Sequence, residues 1–429
     1  MQLHDPTCSC FLHQYMFAQG TSKVPSDYHW WCAVSTIAAC VANRVWAFKG
    51  AERIQPNLYT LLIGPSGIGK GSAIKEALRL INGIEGINPI PGKITGPFLM
   101  DYLSGRHAAK GAPPNLIYLV CEELAFSFTE GQQARDLVKT LVALYGGNVG
   151  DMPFYDGTRT GGLIAMKRAC INFLAGTTEE WLVQALPSDT VAGGFSRRIV
   201  AVDREHTDVE QLAYPVYPKE RDSILATLKA RCVRLTQLEG EMYVTADAVL
   251  RYEEWFYERP KLEDLDPLLH PWWSTQDELA YKLAMLFALA YYEDRQEMTI
   301  TGTDMVHAWQ QTQEMKDHVL RAIRHTFADK ESKDIAWARY FFEMRGRCTD
   351  RLWQQNCSAR HILSERRGQL EETLMGAGEI RWYLTRDSRS VKWWEWMGHR
   401  KMFLGGKIIP PESGATVEVT GVLLPAAGS

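Results

Sequence analysis

The chain has 429 residues, 46% apolar and 23% charged, with a net charge of −4. That length accommodates two or three domains with real cores, and the composition excludes a disordered or fibrous chain. A weakly negative total also excludes a surface that is basic all over, while leaving room for local basic patches.

Nine scattered cysteines, an odd number, argue against a disulfide framework and for a reducing compartment. The opening MQLHDPTCSCFLHQ lacks a basic, then apolar, leader pattern. The longest apolar run, Tyr281–Tyr292, is too short to span a membrane. The expectation is a cytoplasmic protein with no membrane partner.

Residues 1–56 read as a mostly helical segment that packs on the next domain, because 29–48 is apolar nearly all round. His4, Cys8, Cys10 and His13 within it are zinc-ligand residue types, but their Cys-x-Cys spacing is short of the common fingers. From 57 to 205, short apolar runs alternate with helical spacing, which predicts an α/β parallel sheet with crossover helices. The predicted strands are 58–64, 116–123, 169–177 and 197–205, each dense in β-branched or aromatic residues as strands buried on both faces are. Residues 206–328 read as a helical lid subdomain.

Residues 330–401 carry 15 Lys+Arg against 10 Asp+Glu, a local +5 on a chain of −4. Two helices, 333–346 and 358–378, precede an aromatic hairpin, so 329–405 reads as a winged-helix-like module. The tail, 406–429, has no assignment.

The stretch LLIGPSGIGKGSAI, 61–74, is a strand, a glycine-rich turn and a helix start. Gly64, Pro65, Ser66, Gly67, Ile68 and Gly69 form a loop whose amides can wrap a nucleotide phosphate. Lys70 pairs with the β- and γ-phosphates, and the helix from Gly71 aims its positive end at them. The pattern G-x-x-x-x-G-K-[ST] holds through Lys70 and fails at Gly71. The hydroxyl comes one place later, at Ser72, an order that resembles the adenylate kinase loop.

LIYLVCEEL is an apolar strand ending in Glu122 and Glu123. The first acid suits Mg²⁺, with Ser72, and the second suits polarising an attacking water. INFLAGTT ends in polar residues, and Asn172, Thr177 and Thr178 are candidate sensors of the γ-phosphate. In GGFSRRIVAVDRE, Arg197 and Arg198 follow a glycine pair, where an arginine can stabilise the transition state in a neighbouring subunit.

In this order, PNLYTLLIGPSGIGKGSAIKEAL, VCEELAFSF, NFLAGTTEEWL and GGFSRRIVAVDRE resemble the P-loop ATPase domain found fused to, or encoded beside, primase modules of phages and plasmids. The likeness covers roughly 24–323. It implies an additional-strand, AAA-like ATPase related to hexameric helicases, using ATP and Mg²⁺ and assembling as a homo-oligomer, a hexamer. With no primase module in this chain, a primase is a separate partner.

Single-stranded DNA is the expected substrate of such a ring. The run 152–173 reads as a hairpin with DGTRTGG at its tip. Arg159, Lys167 and Arg168 there suit phosphates, and Tyr155 suits a base face. Arg366, Arg367 and Arg389 of the C-terminal module are further DNA-contact candidates. The leading reading is a replicative DNA helicase. A non-translocating loader or initiator ATPase comes second, and a P-loop kinase third.

Overall fold

The computed structural model describes residues 9–87, 89–91, 94–104, 116–124, 132–146, 154–158, 162–166, 169–179, 182, 194–205, 214–266, 269–327, 330–359, 362–385 and 391–397. The chain divides into two compact units, 1–327 and 328–429.

The first unit is built on a five-stranded parallel sheet. Its strands are β3 (Tyr59–Ile63), β4 (Pro89–Pro91), β5 (Leu116–Cys121), β8 (Cys170–Thr177) and β9 (Ile199–Asp203), in the order β4-β5-β8-β3-β9. The extra strand β8 therefore lies between the phosphate-loop strand and the acidic strand. That is the additional-strand P-loop arrangement implied by the resemblance. The four expected strands fall within two residues of their predicted ends, and β4 is an addition. Pro89 and Pro91 hide β4 from a propensity reading, and an edge position tolerates them.

Side-chain alternation along each strand makes two cores, one on each face of the sheet. Leu62, Val120, Leu174 and Val202 face α2 (Ser26–Val41) and α3 (Lys70–Ile81). Leu61, Leu119, Phe173 and Ala201 face α4 (Gly96–Leu103) and α5 (Gln132–Leu144). Both strand faces are covered, which explains why these strands read as unbroken apolar runs.

The N-terminal segment differs from the all-helical expectation. After α1 (Phe11–Gln19) and α2, the chain forms a hairpin of β1 (Val45–Lys49) and β2 (Glu52–Ile54). Gly50 turns it with φ 62°, a conformation that needs no Cβ. The apolar run across 29–48 conceals the change of period, because α2 is buried on nearly every side and only Asn43 and Arg44 interrupt the run before β1.

Helices α6 (Arg221–Leu235), α7 (Ala246–Glu258), α8 (Gln276–Ala290) and α9 (Gly302–Phe327) follow. Thr245 caps α7 by accepting from the Ala248 amide at 3.1 Å. Residues of α6 and α8 lie in the same core as α1, α2 and α3. Short strands β10 (Gly240–Glu241), β11 (Tyr243–Val244) and β12 (Thr299–Ile300) stitch this region together, with β10 pairing parallel to β1. Between β5 and β8 an antiparallel pair forms, β6 (Phe154–Thr158) with β7 (Gly162–Met166). Among the described residues no helix is long and apolar enough to cross a membrane.

The second unit comprises α10 (Lys330–Arg345), β13 (Arg347–Thr349), α11 (Asp350–Ala359), α12 (Ser364–Gly376), β14 (Ile380–Thr385) and β15 (Val391–Trp396), with sheet order β13-β15-β14. Three helices and a three-stranded sheet in this order form a winged-helix topology. The sequence reading of one helix over 358–378 is corrected: the helix starts at Ser364, and a separate helix, α11, precedes it. Trp353 and Trp394 are fully buried in this core, each tied through its indole N–H to a carboxylate, Glu371 at 2.7 Å and Asp350 at 2.8 Å. Tryptophans in this unit are thus largely framework. The tail lies outside the described residues.

Candidate nucleotide site

Parallel strands bring their carboxyl ends to one edge. Register pairs Ile63 with both Thr177 and Asp203, and Cys121 with Ala175. The phosphate loop, the acidic pair and the strand tip at Thr177–Thr178 therefore meet without long-range adjustment. The Gly64 amide donates to Thr177 O at 3.2 Å and locks loop to tip. Between the phosphate loop and the acidic pair opens a cleft of about 630 Å³ bordered by Ser66, Gly67, Gly69, Lys70, Gly71, Ser72, Glu122 and Glu123.

Glycine is required at two points. Gly69 has φ 105°, and a methyl on it would lie 2.8 Å from Val24 Cγ2. A methyl on Gly176 would lie 2.7 Å from Glu122 O and 3.3 Å from Lys70 Cβ, so β8 has to be bare where the loop lysine and the acidic strand close over it. Ile68 is buried in the core and anchors the loop, while Ser66 and Gly67 are exposed.

Lys70 begins α3 and is buried. Its ammonium donates to Gly64 O at 2.6 Å and Pro65 O at 2.9 Å, which holds the positive charge over the loop. Glu122 is exposed and paired with Lys75 at 2.9 Å. Glu123 differs: burial raises its pKa above the ordinary carboxylate value, and Lys70 opposes that shift. Its Oε1 is buried and accepts no hydrogen bond among the described residues. A buried acceptor in that state is costly, and such groups cluster at sites of chemistry.

These residues fit a nucleotide with its metal. The donors at the mouth are the Ser72 hydroxyl and the carboxylates of Glu122 and Glu123, hard oxygens of the kind Mg²⁺ takes. The Glu123 oxygen that has no partner among the described residues is free to accept from a donor in the cleft. At Gly71 a Cβ would meet only Glu122 Oε2, at 3.6 Å. The position tolerates a side chain, so glycine there is not imposed by crowding.

Asn172 is not at this edge. It lies in β8 before the residue opposite Tyr59, at the other end of the sheet, and is fully buried. Its side chain accepts from the Leu58 amide at 3.0 Å and donates to Ala38 O at 3.2 Å. The sensor expectation for Asn172 is therefore corrected: its amide splices β3 and α2 to β8. Thr177 is at the tip, with its hydroxyl donating to Thr178 O at 3.1 Å, and Thr178 follows it, half-buried.

Arg197 and Arg198 form a short 3₁₀ turn just before β9. Since β9 runs parallel to β3, this turn is at the amino edge of the sheet, about 20 Å from the phosphate loop at ~3.3 Å per residue. Neither arginine reaches the loop of its own chain. Arg198 donates to Gly194 O at 2.8 Å and lies 5.6 Å over the Tyr145 ring; burial, then Arg197, lower its pKa. Arg197 is half-buried with an Nε that has no partner among the described residues. Of the two, Arg198 is the one whose side chain makes a hydrogen bond among the described residues.

The β6–β7 pair confirms a hairpin, with Tyr155 opposite Ala165. Its tip, with Arg159, and Lys167 and Arg168 lie outside the described residues, as does Arg389. Arg366 and Arg367 sit on α12 but are engaged locally, Arg366 with Asp334 at 3.2 Å and Arg367 with Glu371 at 3.3 Å. The zinc-type group lies partly outside the described residues. Cys10 is buried, His13 faces the Trp30 ring at 6.4 Å, and among the described residues no metal-ligand cluster forms.

Sequence reasoning missed Lys23, which also borders the cleft. It stands 47 positions before Lys70 in a segment without a motif, so no sequence signal marked it. Gly176 was legible only as part of a polar strand tip.

No protein-family model matches the chain, and no curated protein matches it. Among solved structures, a full-length MCM homolog from Methanopyrus kandleri is similar with a TM-score of 0.37 and 16% identity, over 72% of this chain and 59% of that one. The chain thus spans less than two thirds of that protein's length. The fold assignment rests on the strand order given above.

Proposed function

We propose that this chain is a Mg²⁺-dependent ATPase of the additional-strand P-loop class that works as a homo-oligomer, and that its energy drives movement on single-stranded DNA. The observation that carries the ATPase reading is the junction of Lys70, Glu122 and Glu123 at one sheet edge, with a Glu123 oxygen that has no partner among the described residues. ATP supplies the phosphoanhydride, and Mg²⁺ neutralises charge on its phosphates. Lys70 and the loop amides hold the phosphates, Ser72 and Glu122 face the metal, and Glu123 orients a water and takes its proton. A raised pKa makes Glu123 a better proton acceptor than an ordinary carboxylate.

The place of the arginines supports the oligomeric part of this reading. Arg197 and Arg198 sit at the edge opposite their own loop, so a role in phosphoryl transfer requires a second copy. A hexameric ring with the β6–β7 hairpin in its pore is the form this reading takes, with a separate primase as a partner. The engaged state of Arg366 and Arg367 shifts the DNA-contact role from the C-terminal unit to the hairpin.

ATP hydrolysis by the purified chain, with and without single-stranded DNA, tests this. Strong stimulation supports a motor. Hydrolysis indifferent to DNA replaces the motor with a loader or initiator ATPase. Absence of both nucleotide binding and hydrolysis overturns the reading.

A further inference from the structure

The segment between α1 and α2 borders the cleft at Lys23, and it is fastened at both ends. At one end Thr21 and Val216 exchange backbone hydrogen bonds, each 2.8 Å. At the other, Tyr28 Oη donates to Ile63 O at 2.5 Å, and Asp27 pairs with Arg204 directly after β9. Between these ties, Val24 presses on Gly69 where a Cβ would stand. Thr21–Tyr28 is thus fitted to the phosphate loop as a strap and is not a loose connector.

Lys23 projects from this strap into the border of the cleft. Three lysines and two glutamates line that space. Lys75 pairs with Glu122, and Lys70 is occupied by the loop's own carbonyls. Lys23 is exposed and makes no hydrogen bond or ion pair among the described residues. An uncompensated ammonium at the rim of a phosphate cleft, on a backbone held in place, is a preorganised anion ligand.

We propose that Lys23 is a phosphate ligand for the bound nucleotide, which makes the N-terminal strap part of the site. This inference rests on the ATPase reading and deepens it. The strap holds the Lys23 backbone next to the loop, so binding need not order a flexible segment, only the lysine side chain.

Equilibrium binding of ATP, ADP and adenosine, each with Mg²⁺, to wild type, Lys23→Ala and Lys23→Arg tests it. Lys23→Ala is expected to weaken ATP and ADP about tenfold, the size of one charge-assisted contact, and to leave adenosine unchanged. Lys23→Arg is expected to stay within about threefold of wild type, because the charge is retained. As a second readout, ATP is expected to protect the Lys23 ammonium from reductive methylation. The thermal melting point without nucleotide should not move, since Lys23 is exposed. Equal ATP affinity of Lys23→Ala and wild type, with no protection, overturns this inference alone. A wild type that binds no nucleotide overturns the ATPase reading and this inference with it.

Discussion

Replacing Gly71 with serine tests how the metal is held. The usual hydroxyl of a phosphate loop stands directly after the lysine, and this chain has glycine there with Ser72 next. Crowding does not explain it, since a Cβ at Gly71 would meet only Glu122 Oε2 at 3.6 Å, an ordinary contact. Gly71 is the second residue of α3, where glycine costs up to about 1 kcal/mol relative to alanine and serine about half that. Gly71→Ser should therefore melt no lower than wild type. A hydroxyl beside Glu122 adds a metal ligand, and a charge-assisted contact is worth about 1.5 kcal/mol, close to tenfold in affinity. The assay is ATPase rate against free Mg²⁺. Gly71→Ser should lower the half-saturating Mg²⁺ about tenfold, with Gly71→Ala as the control that adds Cβ without oxygen. Ser72→Ala should raise it by a similar factor, and Gly71→Ser with Ser72→Ala should restore it. If none of the four variants shifts the Mg²⁺ dependence, the assignment of a hydroxyl of this loop to the metal is wrong.

Glu123→Gln should bind ATP as wild type and lose turnover at least about 100-fold. Because the Glu123 pKa is raised by burial, wild-type activity should fall on acidification at a pH above the ordinary carboxylate range; an acid limb at the ordinary value contradicts its role as proton acceptor. Arg197→Ala should lose about 1,000-fold in turnover, and Arg198→Ala less, since Arg198 is anchored to Gly194 and Tyr145. Mixing Arg197→Ala with Lys70→Ala should recover activity by pairing an intact loop with an intact arginine, and no recovery at any ratio counts against action across subunits. His29 makes stability pH-dependent: burial, then Arg221, lowers its pKa from 6.5 to about 4. The unfolded chain then binds a proton that the folded chain refuses, so the contribution is full above about pH 6.5 and declines as pH falls towards 4. At pH 5 that amounts to roughly 2 kcal/mol. Urea unfolding of wild type and His29→Leu at pH 7.5 and 5 checks it; an equal loss in both removes His29 as the cause.

The residues that were legible in the sequence share one physical cause. In a parallel sheet, chemistry collects where strands end, and the strand ends announce themselves as apolar runs that stop at glycine or acid. Gly64–Lys70, Glu122–Glu123 and Thr177–Thr178 were found this way, and the β3, β5 and β8 register brings them to one edge. Asn172 was misplaced because a run of apolar residues gives no direction to a polar one inside it. Only the register, which sets it before the residue opposite Tyr59, shows that it is at the wrong end. Hairpin β1–β2 was hidden by the burial of α2, whose apolar surround erases the helical period that would have marked its end. Helix α11 was missed for the opposite reason. Asp350–Ala359 is polar on most of its surface, and Trp353 and Cys357, a helical turn apart, are its residues in the core. Lys23 lies furthest from local inference, since its place depends on the Thr21–Val216 bridge to a residue 195 positions later. The pattern divides by range: what a strand end or a turn decides is local and readable, and what a tie between distant segments decides is not. By that measure the meeting of loop, acidic pair and strand tip is a local product of the sheet, and the strap at the cleft's rim is a product of the whole unit.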